Sequence, residues 1–158
     1  MHAIIRNCAY LYVQTVHRKS VVHIPIYTLK ILVMNITRTK QYYESLTSND
    51  VCQCDYCQNF IQNIKTAYPQ IANYLQGIGV DIERPSEVLS LDPDGQGYIE
   101  YCQAQYIVFG SRSDFCKADL SDIHIDIQDS HPCTNIEEEH FVIALYPLHD
   151  MIRIRWMY

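Results

Sequence analysis

Three of the seven cysteines of this 158-residue chain fall within six residues, in Cys52-Gln53-Cys54-Asp55-Tyr56-Cys57. A C-x-C-x-x-C spacing can direct two or three thiolates at one metal ion, because extended or turning backbone brings sulfurs so placed to a common point. Zinc would need a fourth ligand. Cys133, His131 and His140 are the candidates, and His131-Pro132-Cys133 sets two donor types two residues apart. The expected cofactor is a structural zinc, although the chain has no second C-x-x-C. A different chemistry would use Cys54 and Cys57 alone. At a helix N-terminus the first thiol of a C-x-x-C is acidified, so Cys54 would be a redox nucleophile and Cys57 the resolving thiol. The plainest reading leaves Cys57 in the core and Cys52 and Cys54 as loop thiols.

Two further constellations are weaker. Laid on the calcium-loop pattern, Asp92-Pro93-Asp94-Gly95-Gln96-Gly97 puts carboxylates at the first two ligand positions and a glycine at the sixth. Gln103 stands where the closing bidentate Glu belongs, and the flanks read as loop and strand. A solvated turn before a strand is the expectation. Glu137-Glu138-Glu139-His140 mixes carboxylates with an imidazole, but it is not H-E-x-x-H and reads as a charged turn entering a strand.

The elements that must position these residues follow from hydrophobic period. Asp55 is expected to N-cap a helix in which Phe60, Ile61, Ile64, Ala67 and Tyr68 recur at three- and four-residue spacing. Pro69 ends or kinks it and can start a second helix to about Gln76, stopped by Gly77 and Gly79. A short helix over about 40–46 precedes both. After Gly79 the period becomes two: Val80-Asp81-Ile82-Glu83 alternates, 98–110 reads as a strand, and Ile123, Ile125 and Ile127 alternate with polar residues. Phe141–Tyr146 is a further strand, and 152–156 a last edge strand. Helices first and strands after, with short connections, predict an α+β fold: N-terminal helices on one face of a mostly antiparallel sheet of three to five strands.

Residues 1–33 contain no Asp or Glu, whereas all 18 acids lie beyond Met34. That break predicts an atypical N-terminal extension outside the core, with Met34 as an alternative start and 34–158 as one α+β domain. The formal charge of −6 argues against a nucleic-acid partner, where basic surface supplies most of the affinity. No apolar run long enough to span a membrane and no secretory leader is evident. Close thiol spacing in a reducing cytoplasm suggests metal or redox chemistry rather than a disulfide frame. Cys8, Cys102 and Cys116 fit small buried hydrophobes.

From Met34 to about Leu148 the chain resembles a family of small, uncharacterised proteins from Gram-positive bacteria. The residues carrying the resemblance are Cys54-Asp55-Tyr56-Cys57-Gln58-Asn59-Phe60, Gly79-Val80-Asp81-Ile82-Glu83-Arg84-Pro85 and Ile136-Glu137-Glu138-Glu139-His140-Phe141. It implies a compact bacterial cytoplasmic protein, and no substrate or catalytic residue. The combined expectation is a small binding or interaction protein with a protein or small-molecule partner.

Overall fold

The structure is a computed structural model that describes residues 34–148 and 152–156. The expectation for residues 1–33 lies outside the described residues. Among the described residues, three α-helices precede six strands. Helix α1 (Ile36–Ser45) starts where Asn35 accepts the Arg38 amide on its side chain at 3.0 Å. Helix α2 (Asp55–Ala67) turns Cys57, Phe60 and Ile64 inward, the three- and four-residue spacing of one helical face. Its N-cap is Cys54 rather than the expected Asp55, which is the first helical residue. An acid there still complements the N-terminal end of the helix dipole. Pro69 opens α3 (Pro69–Gly77), since its missing N–H costs nothing in a first turn. Ile71, Ala72 and Leu75 face inward.

The sheet runs β1 (Glu87–Ser90), β2 (Tyr98–Phe109), β3 (Ala118–Leu120), β4 (Ile123–Ile127), β5 (His140–Pro147) and β6 (Ile152–Arg155). Spatial order is β1-β2-β5-β4-β3, and every pairing is antiparallel. The fold is therefore α+β, with six strands rather than three to five. The additional strands are β1 and β3, of four and three residues, too short to show a period. Strand β6 pairs with residues 98–101 of β2, and β5 with residues 104–109. Because β1 fills the other edge of β2 near Tyr101, β6 extends the line of β5.

The alternating Val80-Asp81-Ile82-Glu83 is not a strand. Both apolar side chains are buried, but the backbone turns, with the Arg84 amide on the Asp81 carbonyl. Two apolar residues two apart suit such a turn as well as a strand. Gly79 fixes where this turn begins. Its φ is +84°, and a Cβ there would meet the Ile36 carbonyl oxygen at 2.5 Å, so only glycine allows the close approach to α1.

One apolar cluster joins the helices to the sheet: Phe60, Ile64, Ile71 and Leu75 meet Ile99, Tyr101, Tyr106 and Ile125. Beyond the end of β1, side chains of α1 satisfy the edge of β2. The Tyr43 hydroxyl donates to the Ile107 carbonyl (3.0 Å) and accepts its amide (2.9 Å), and Thr39 Oγ1 accepts the Phe109 amide (3.0 Å). Hydroxyls thus replace a missing strand partner, which keeps the buried backbone paired. No helix among the described residues is long and apolar enough to cross a membrane.

Candidate metal centre

The segment before α2 is held in shape by its own polar side chains. A single 3-10 turn, Ser48–Asp50, is closed by Asp50, which accepts the Thr47 amide at 2.7 Å and its hydroxyl at 2.6 Å. Gln53 donates from Nε2 to the Ser48 and Val51 carbonyls, and Gln58 reaches back from α2 to the Cys52 carbonyl at 2.7 Å. The extended Cys54 backbone (φ −68°, ψ 154°) then turns into the helix. Cys54 and Cys57 share the first turn, and Gln58 keeps Cys52 above it.

The three sulfurs lie within 4.8 Å of one another. Thiolates on a tetrahedral zinc, with Zn–S near 2.3 Å, stand roughly 3.8 Å apart. The cluster is therefore within a small side-chain rotation of a metal-binding arrangement. Cys52 and Cys54 are exposed, whereas Cys57 is buried. Beneath them the first turn of α2 is pinned to β2. The Tyr101 hydroxyl donates to the Tyr56 carbonyl (2.9 Å) and accepts from Asn59 Nδ2 (3.0 Å). Tyr56 in turn donates to Asp92 (3.1 Å) and packs at a tilt against Trp156, with ring centres 5.4 Å apart.

These surroundings drive the thiols apart in acidity. The Cys57 amide at the start of α2 lowers the Cys54 pKa, helped by the Cys52 and Cys57 thiols and the Tyr56 amide. No hydrogen bond of ordinary capping geometry forms, so this is the pull of helix N–H groups aimed near the sulfur. Burial raises Cys57, and the neighbouring Cys54 and Cys52 thiols push it the same way. Tyr101 is raised to about 12, chiefly by burial.

The other expected ligands are elsewhere. His140 opens β5 opposite Phe109, eight residues along β2 from Tyr101, which is about 26 Å at 3.3 Å per residue. His131 and Cys133 lie in the loop that leads into it. Each donor there has a local partner. His131 Nδ1 donates to the Pro132 carbonyl (2.8 Å), and the Cys133 thiol to Asn135 (3.4 Å). His140 donates from Nδ1 to the Glu138 carbonyl (2.7 Å), which leaves Nε2 to accept from Thr134 (2.8 Å). Among the described residues, no further His, Cys, Asp or Glu joins the three sulfurs.

The Asp92–Gly97 turn is a structural turn. Asp94 accepts the Gln96 and Tyr98 amides at 2.8 and 2.9 Å and binds Arg153, while Asp92 holds Tyr56. Those contacts occupy the carboxylates that a calcium ion would need. Glu138 pairs with Arg38 at 2.7 Å, so the acidic run before His140 is a charged turn anchored to α1. A groove of about 640 Å³ lies between α1, α3 and residues 79–84, but its charges pair within the chain as Lys65–Glu83, Lys40–Glu44 and Arg84–Asp81.

The supporting residues Gln58, Asn59 and Tyr101 were not among the sequence candidates. Tyr101 alternates with Ile99, a core signal, but nothing in that alternation shows which helix it would touch. The class this defines is an α+β protein with a surface cluster of three cysteines able to hold a metal ion. No protein-family profile, curated protein or solved structure matches the chain.

Proposed function

We propose that this is a small binding or interaction protein, not an enzyme, whose Cys52, Cys54 and Cys57 hold a zinc ion in a structural role. The supporting observation is the convergence of three sulfurs within 4.8 Å at the start of α2. Zinc would replace three weak thiol contacts with metal–sulfur bonds and fasten the Val51–Cys54 segment to the helix. Metal binding to the folded chain alone stabilises it, by about 2.7 kcal/mol when free zinc is a hundred times its dissociation constant. The apolar core spans helices and sheet, so chelation is expected to lower the melting temperature without abolishing the fold. Zinc binding requires Cys52, Cys54 and Cys57 to stay reduced, as they are here, while Cys116 is held in a disulfide outside the cluster.

The test is the zinc content of untagged protein purified without chelator, with thiols titrated on the same sample. About one zinc per chain is expected, with the three cluster thiols protected until denaturation. A metal-free protein whose cluster thiols react at once would remove the zinc reading.

A second reading has its own observation. Cys54 is exposed at a helix N-terminus, and the buried Cys57 follows one turn later, the arrangement of a thiol-redox pair. Against it, a 3-10 turn and a bend rather than a strand lead into the motif. Reversible formation of a Cys54–Cys57 disulfide at the potential of a dithiol buffer, in protein that takes up no zinc, would favour this reading.

A further inference from the structure

Zinc takes four ligands, and three sulfurs converge here with no further His, Cys, Asp or Glu donor among the described residues. Cys57 anchors the group from the buried side, while Cys52 and Cys54 are exposed, so the remaining side of the coordination sphere faces solvent. Within the zinc reading above, we propose that the fourth ligand is a single thiolate from outside the described chain, supplied by a small monothiol. The site would then capture thiols as well as brace the fold.

Two features of the site favour sulfur. Three thiolates make a soft donor set, which selects soft-binding ions and suits a fourth sulfur. The α2 N-terminus, with the Tyr56 and Cys57 amides beside Cys54, offsets negative charge where a fourth thiolate would add it. The step balances simply. The incoming thiol forms a metal–sulfur bond, displaces any bound water, and releases its S–H proton to the buffer. No oxidant or reductant is needed. A metal-bound thiol is deprotonated outright, so capture would proceed at neutral pH, where a free thiol is largely protonated.

Cobalt(II) serves as the probe, since its thiolate charge-transfer and d–d bands report how many sulfurs are bound. Full-length protein is loaded with cobalt under argon, and 2-mercaptoethanol is then titrated in. Passing from three thiolates to four should raise the charge-transfer absorbance by about one third, saturably, with proton release that tracks the rise. The Cys133→Ser chain, altered outside the cluster, should respond identically, whereas Cys52→Ser should begin with about two thirds of the signal. A second copy could supply the same chemistry. Four-thiolate bands without added thiol would overturn the monothiol proposal, a doubled mass in sedimentation assigning the fourth sulfur to a partner chain and an unchanged mass assigning it to this chain. Cobalt uptake with bands that thiol does not change would overturn the proposal and leave the zinc reading intact. A chain that takes up no cobalt would remove both.

Discussion

At the α2 end of the sheet, Cys52, Cys54 and Cys57 point at one another. At the opposite end, His131, Cys133 and His140 each turn to a neighbour in their own loop. Both sets are potential metal ligands, three thiols in one and two imidazoles with a thiol in the other, and both lie close in sequence. The difference is the backbone beneath them. A helix start puts residues three apart on one turn, and Gln58 clamps the preceding segment over it. The far loop has no repeating geometry, so its polar atoms are satisfied one at a time. Proximity in sequence becomes a site only where an element holds the side chains in common.

The largest contrast should appear in metal affinity. Cys57→Ser is expected to weaken zinc binding by more than about a hundredfold, beyond the loss typical of an outer supporting residue. The triple variant His131→Ala, Cys133→Ser, His140→Ala should bind zinc as the unsubstituted chain does, at a cost of about 1 kcal/mol for the lost His140–Thr134 contact. Competition with a chromophoric chelator measures both. Zinc loss in the triple variant would mean that the far loop reaches the cluster after all.

Alkaline pH probes both ends through buried tyrosines. Tyr101 lies under the cluster and Tyr43 against the far end of β2; burial raises both, and Tyr106 likewise. Above pH 10 the unfolded chain loses phenolic protons that the native state keeps. The native state then binds more protons, and stability falls as pH climbs from about 10 toward 12. Tyr101 accounts for roughly 2–3 kcal/mol of that loss. Tyr101→Phe should flatten this share in pH-dependent urea unfolding while lowering neutral stability by about 1–3 kcal/mol, because the Tyr56 carbonyl and Asn59 lose its hydroxyl. An unchanged alkaline slope would show that Tyr101 ionises freely in the fold.

The smallest effect separates thiols within the cluster. In metal-free protein Cys54 should be alkylated at a lower pH than an unperturbed thiol, and Cys57 only on unfolding. Mass spectrometry of iodoacetamide-treated protein at stepped pH gives the order directly. Cys57 reacting first would mean that the start of α2 opens in solution.

Phe60 and Ile64, at helical spacing, and the alternation at Ile123 and Ile125 were enough to place α2 and β4, because an element that buries one face must repeat at its own period. Pro69 at the junction of α2 and α3 was equally legible, since its ring and missing N–H act locally. Val80 and Ile82 misled because two apolar residues cannot distinguish a strand from a buried turn. Asp55 reads as a cap from its residue type, but it is the first helical residue, and Cys54 stands at the N-cap position without a side-chain capping hydrogen bond.

The sequence alone determined the helix-then-sheet order and the closeness of Cys52, Cys54 and Cys57, both consequences of short-range spacing. Only the tertiary structure decided that Tyr101 locks the first turn of α2 to the sheet, and that His140 pairs with Phe109 at the other end of β2 from Tyr101. Strand pairing joins residues distant along the chain, and the local pattern of apolar and polar positions does not encode which strand lies beside which.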